Sequence, residues 1–229
     1  MMPTLKVISS LAIKAAYVEL VPQFEKASGC EVATEWAGMV DILKRMKAGE
    51  TVDLVIGSAA VVDELMQLGR IVPGSRVDLA KSGVGVAVRS GARKPDIGSV
   101  EALKRALRAA KSIGYSSGPS GVYLSGLFER LGIAAELKPK ITQTPPGVFV
   151  GERVARGEIE IGFQQVPELL PVPGIDYVGP LPREIQAITV FSGGIHSGAD
   201  EPEAARAWLK FLTSPGAAPV IRKKGMEPG

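Results

Sequence analysis

Four short stretches of small residues mark where this sequence can do chemistry: Ser9-Ser10, Ala37-Gly38-Met39, Gly57-Ser58 and Ser116 to Gly121. Each follows an apolar run and opens a segment of helical periodicity. A helix start offers unpaired N–H groups and a partial positive charge. Small residues let an anion reach those groups, and a serine hydroxyl adds a donor. Serine is also a preferred helix cap, so each stretch taken singly reads more readily as a cap than as a ligand contact. The four together point to a small anion held at the carboxyl ends of strands, where ligands of open α/β sheets gather. The candidate contacts in these stretches are Ser9, Ser10, Gly38, Met39, Ser58, Ser117, Ser120 and Gly121. No Gly-x-x-x-x-Gly-Lys-Ser/Thr loop and no Gly-x-Gly-x-x-Gly helix start follows the first strand, which argues against a nucleotide.

Other chemistry is sparse. His196 is the only histidine and lies in a Gly/Ser-rich stretch, expected to be exposed, so a Ser-His-Asp arrangement has little to draw on. Cys30 is alone, which excludes an internal disulfide, and no Cys/His cluster could hold a metal. Cys30 is expected to be a small core hydrophobe. Neither a cofactor nor a metal is expected. Glu35, beside Trp36 at the end of a strand, is the one acid–base candidate; its plainer role is a solvated or capping carboxylate. Gln164-Gln165, after the apolar Ile161-Gly162-Phe163, offers donors and acceptors to a polar ligand, or else forms a surface turn.

The elements that must position these residues alternate. Lys6–Ile8 is a short strand, and Ile13, Tyr17, Leu20, Phe24 and Ala27 form a helical stripe stopped by Gly29. Cys30–Trp36, a helix bearing Ile42, Leu43 and Met46, the strand Val52–Ile56 and a helix bearing Val62, Leu65 and Leu68 continue the pattern. Such alternation predicts a mainly parallel sheet with helices on its faces. The phase then changes. Val77–Ala80 and Val84–Val88 are expected as two strands joined through Lys81-Ser82-Gly83. A second α/β unit follows: a helix capped by Ser99, a strand at Ser112–Tyr115, a helix bearing Leu124, Leu127, Phe128 and Leu131, a strand from Ile141, a helix ending near Gly157 and a strand over Ile159–Phe163. Ile185–Phe191 reads as a returning strand, Ser192-Gly193-Gly194 as a turn, Asp200-Glu201-Pro202 as a helix start and Ser214-Pro215 as the start of the last helix.

The 229 residues carry a net charge of +3, with 45% hydrophobic and 22% charged residues, ordinary for a globular chain. The densest basic run, Arg222-Lys223-Lys224, lacks the stripe and aromatics of a nucleic-acid footprint. No apolar run is long enough to span a membrane. Met1-Met2-Pro3-Thr4-Leu5-Lys6 leads into a strand without a charged n-region or an apolar h-region. The protein is therefore expected to be cytoplasmic if the chain is complete as written, and periplasmic if a signal peptide has been removed.

The order of elements resembles the type II periplasmic solute-binding proteins, and among them the molybdate-binding-protein-like group. The stretches that carry the likeness are Val7-Ile8-Ser9-Ser10-Leu11, Phe24 to Gly29, Lys47-Ala48-Gly49-Glu50 with Asp53 to Ile56, Gly118-Pro119-Ser120-Gly121, Ala155 to Phe163, and Phe211 to Ala217. The resemblance implies an α/β fold of two lobes, residues 1–82 with 185–229 and residues 83–184, closing on a ligand cleft. It implies a small anionic ligand, an ABC transporter permease as partner, and a monomer. Carried onto this chain, the oxyanion contacts of the group fall on Ser10, Met39, Ser120, Gly147 and Gln165. The second has lost its hydroxyl to methionine, and the fifth has lost a tyrosine to glutamine. Trp36, Met39, Gln164 and Gln165 are better matched to an organic carboxylate than to molybdate. Aconitate isomerases resemble this same group, so an isomerase of an unsaturated polycarboxylate is the alternative, with a cytoplasmic small-molecule sensor as a third reading.

Overall fold

The structure, a computed structural model, describes residues 3–229. Met1 and Met2, with which the leader reading begins, lie outside the described residues. In chain order the elements are β1 (Thr4–Ser10), α1 (Lys14–Ser28), β2 (Glu31–Ala37), α2 (Met39–Lys47), β3 (Leu54–Ser58), α3 (Ala59–Gln67), β4 (Val77–Arg89), α4 (Val100–Ala109), β5 (Ile113–Ser116), α5 (Pro119–Arg130), α6 (Ala134–Leu137), β6 (Ile141–Thr144), α7 (Val150–Ala155), β7 (Ile161–Gln165), α8 (Val166–Leu169), β8 (Ile175–Pro180), β9 (Ile188–Ile195), α9 (Pro202–Leu212), α10 (Ala218–Lys223) and β10 (Glu227–Pro228). Two compact units emerge: Met1–Ser82 with Thr189–Gly229, and Gly83–Ile188.

In the first unit, β1 pairs in parallel with β2 on one side and β3 on the other, and β9 adds antiparallel to β3. Strand alternation sorts the side chains. Leu5, Val7, Leu54 and Ile56 face the core built with α1 and α9, whereas Ile8 and Val55 face Ile42, Met46, Val62 and Leu65 of α2 and α3. The larger core centres on Trp208, whose indole N–H donates to Tyr17 Oη at 3.1 Å while the two rings meet edge to face. Cys30 is buried in that core, where burial pushes its thiol up, as expected of a small hydrophobe.

In the second unit, β5 lies parallel between β6 and β7, and β4 runs antiparallel to β7 and β8. Ile161 and Phe163 face the core with Leu124, Leu127 and Phe128; the opposite face of β7 meets Val150 and Val154 of α7. Each sheet is thus mixed, a parallel trio edged by antiparallel strands, with helices on its faces.

Several local expectations are corrected. The two strands expected around Lys81-Ser82-Gly83 are one, β4: Lys81 pairs with Glu227, and the Gln186 amide bonds both the N–H and the carbonyl of Val84. Ser192-Gly193-Gly194 is strand, not turn, because its glycines answer to packing: a Cβ on Gly193 would lie 2.3 Å from Leu209 Cδ2, and one on Gly194 2.7 Å from Ile71 Cγ2. His196 is buried rather than exposed; its Nδ1 accepts the Gly198 N–H at 3.1 Å. The last helix starts at Ala218, after a turn in which Ser214 Oγ accepts the Ala217 N–H. Ala27 and Leu68, assigned to apolar stripes, face solvent. The short elements α6, α8 and β8 carry too few residues for a period to register.

Candidate ligand-binding site

Parallel pairing sets the carboxyl ends of β1, β2 and β3 side by side in the first unit, with Ser10 opposite Ala37 and Ser9 opposite both Trp36 and Ile56. Ser9 and Ser10 are buried; Ser10 Oγ caps the following turn by accepting the Ala12 N–H at 3.2 Å. Ser58 caps α3 through a 3.4 Å bond from the Val61 N–H. Gly38 is the cap of α2 and brings no side chain. Met39, the first residue of α2, sits over this edge, with its thioether sulfur 3.2 Å from the Ser58 N–H. A weak acceptor therefore occupies a backbone donor at a strand end.

Trp36 and Thr34, two residues apart, face α1, where Trp36 meets the Tyr17 ring edge to face and Thr34 bonds Tyr17 Oη at 2.8 Å. Above Trp36 lies Lys14, its Nζ 5.3 Å from the ring centroid, an attractive cation–π placement. Lys14 makes no ion pair among the described residues. Glu35 takes the opposite face of β2, where Arg45 of α2 binds it at 2.6 Å and Glu50 as well. The carboxylates hold the Arg45 guanidinium firmly charged. Glu35 thus has a structural partner and stands apart from the serines.

In the second unit the carboxyl ends of β5, β6 and β7 are likewise neighbours: Ser116 pairs with Thr144, and Tyr115 with Phe163. Ser116 Oγ accepts the Gly118 N–H and lies 3.3 Å from the buried Ser120 Oγ. Pro119, Ser120 and Gly121 are already the first turn of α5, and Ser117 belongs to the bend before it. A Cβ on Gly121 would fall 1.5 Å from the Ser116 carbonyl oxygen, so glycine is what lets α5 start against the end of β5. Gly147 is exposed, with φ at +79°, in the turn that leads to α7. Gln165, buried, pairs with Val84 across β4.

Gln164 is buried, and its Oε1 accepts the Val150 N–H at the start of α7 at 2.8 Å. Next, α8 follows directly on the Gln165 end of β7 and carries Glu168, a residue that sequence reasoning passed over. Glu168 is half-buried. Burial pushes its carboxyl up to about 7, against the pull of hydrogen bonds from the Gln164 side chain and the Gln165 N–H. Lys14 was passed over too; only its step of four from Ser10 marked it in the sequence.

The sequence pattern of the bacterial extracellular solute-binding proteins matches residues 5–227. The chain belongs to this family. An aconitate isomerase from a Pseudomonas species is 42% identical over 231 residues, covering 98% of this chain and 88% of that protein. The periplasmic molybdate-binding protein of Azotobacter vinelandii superposes with a TM-score of 0.82 at 19% identity, covering 98% of this chain and 99% of the other. The sulfate-binding protein of Mycobacterium tuberculosis gives 0.80 at 15% identity, covering 99% and 87%. The fold of this solute-binding family member is the type II periplasmic-binding-protein fold. Among the described residues no helix is long and apolar enough to cross a membrane, and no group of three or more acidic, histidine or cysteine side chains could hold a metal.

Proposed function

We propose that this solute-binding protein captures a small organic polycarboxylate at the carboxyl ends of its parallel strands, rather than a tetrahedral metal oxyanion. The observation that carries the reading is Met39 at the first edge, with its sulfur against the Ser58 N–H and no hydroxyl on its side chain. Trp36, with an uncompensated ammonium at Lys14 above it, supports the same conclusion. An apolar rim suits a carbon skeleton, and a lysine suits a carboxylate. Ser9, Ser10, Gly38, Ser58, Ser117, Ser120, Gly121, Gly147 and Gln165 are the other proposed contacts, with Gln164 holding the α7 start in place. An ABC transporter permease is the partner such a role implies, acting in the periplasm on an exported form of the chain.

Thermal unfolding against molybdate, sulfate, phosphate, citrate, tricarballylate and both aconitates tests the proposal. A ligand at about 100 times its Kd stabilises by about 2.7 kcal/mol. At this chain length that is a rise in Tm of about 5–10 °C. The expected pattern is a rise with tricarboxylates and none with molybdate. The reverse pattern overturns the proposal.

A second reading has its own support, the full-length identity to an aconitate isomerase. On that reading the same edges bind an unsaturated tricarboxylate and the protein interconverts its geometric isomers. Ultraviolet absorbance of purified protein with either aconitate measures turnover directly; binding without turnover removes this reading and leaves the first.

A further inference from the structure

The second unit holds a cavity that neither reading of the ligand site uses. Its volume is about 630 Å³, and it is bordered by the second half of α5, by α6 and by the start of β6. None of its lining residues is among the ligand contacts proposed above. We propose that this cavity is a second binding site, for a zwitterionic amino acid with an apolar side chain.

The floor is apolar and comes from one sheet face and one helix face. Ile141 of β6 is in register with Ile113 of β5, two residues before Tyr115, so Ile141 and Tyr115 leave the same face of the sheet. Phe128 of α5 packs on Tyr115, with ring centroids 6.2 Å apart. Into this floor one hydroxyl opens. Tyr115 is only 8% exposed, and among the described residues its hydroxyl has no hydrogen-bond partner. It is nevertheless not one of the fully enclosed side-chain atoms left unpartnered, which are Arg153 Nε and His196 Nε2. The small surface that Tyr115 keeps therefore includes its hydroxyl, and that surface is cavity wall. A buried tyrosine hydroxyl ordinarily finds a partner; here the cavity is where a partner can stand. Ser125 and Glu129 line the same cavity from α5, one turn apart on the face that carries Phe128.

The rim charges set the ligand class. Glu129 and Lys138 both line the cavity, and among the described residues neither forms an ion pair, with the other or with any third group. Their charged neighbours are engaged. Glu136 of α6 pairs with Arg108 at 2.9 Å, Lys140 donates to the Arg108 carbonyl, and Arg130 lies over the Tyr123 ring, 5.3 Å from its centroid. One carboxylate and one ammonium are thus left over, on the rim of a single apolar floor. The α-ammonium of an amino acid answers Glu129, its α-carboxylate answers Lys138, and the Tyr115 and Ser125 hydroxyls complete the hydrogen bonds. A ligand with one charge would leave the other rim group unmet. Gly132, with φ at +68° and open space where a Cβ would stand, ends α5 without closing the mouth.

The test is titration calorimetry of the full chain with L-phenylalanine, hydrocinnamate and phenethylamine, the last two each lacking one of the amino acid's charged groups. Backbone amide NMR shifts locate the site. L-phenylalanine should bind with a Kd below about 1 mM, and each analogue about tenfold more weakly or worse. The shifts should cluster in α5, α6 and β6. Glu129→Gln and Lys138→Met should each weaken L-phenylalanine by about tenfold, and Tyr115→Phe, which removes only the hydroxyl, by about threefold. Glu129 and Lys138 are exposed, so E129Q and K138M should melt with the wild type. Absence of L-phenylalanine binding at about 10 mM overturns the proposal. So does binding that all three variants leave unchanged. Shifts confined to the ends of β1, β2 and β3 or to the start of α5 would put the amino acid at the first site and would overturn it too.

Discussion

Met39 is the residue at which this chain's ligand preference is most open to test. Its sulfur occupies the Ser58 N–H at 3.2 Å, and a thioether is a poor partner for such a donor. Replacing it by serine supplies a hydroxyl and uncovers that N–H. A hydrogen bond to a charged group contributes about 1.5–3 kcal/mol, so Met39→Ser should tighten sulfate or molybdate binding by about tenfold or more. Titration calorimetry of the variant and the wild type with both oxyanions reads this out; no gain would mean that Met39 does not face the anion. Lys14 is the complement. Removing its ammonium in Lys14→Met should weaken a tricarboxylate by about tenfold while leaving Tm within about 1 °C, since the side chain is exposed and makes no ion pair among the described residues. An equal loss for a neutral analogue would show that the lysine acts by packing rather than charge.

At the scale of elements, the sharpest constraint is the start of α5. Gly121 lies where any side chain would run into the Ser116 backbone oxygen, which is not the end of a flexible chain and cannot swing aside. Gly121→Ala should cost on the order of 3 kcal/mol by chemical denaturation, whereas Gly126→Ala on the same helix, where the nearest atom is Arg130 Nη1 at 3.4 Å, should be close to neutral. Equal effects would contradict the packing of α5 on β5. Gly121 also shows what could be read from the sequence and what could not. Periodicity located the long helices and parallel strands, because α1, α4 and α9 each bury one stripe. It failed where tertiary contacts redefine a residue's role. The glycines of β9 look like a turn but make room for Leu209 and Ile71, and Lys81-Ser82-Gly83 looks like a break but is held extended by Glu227 and Gln186. The serine-rich strand ends were legible because capping and anion binding favour the same residues. Glu168 was not, since nothing in Val166-Pro167-Glu168-Leu169 tells a buried acid from a solvated one.

Across the whole molecule, titratable groups with shifted values pull stability in opposite directions with pH. His196 is held below its ordinary value by burial and then by Arg70, against Asp53. Its contribution is present above about pH 6.5 and lost as pH falls. Asp78 is held low by its bond from Ser192 and then by Arg76, so its contribution too is lost on acidification, at lower pH. Glu168 does the opposite. The unfolded chain releases this proton near 4.5, and the native protein keeps it to about 7. Between those values the native state holds more protons, so its stability falls as pH rises and then levels off. The separation from 4.5 to about 7 corresponds to about 3 kcal/mol. Because His196 and Asp78 act equally in wild type and E168Q, the difference between the two proteins isolates Glu168. Relative to the wild type, E168Q should gain about 6–12 °C in Tm between pH 4.5 and pH 7.5. A constant offset across that range would show that the carboxyl is solvated in the folded protein.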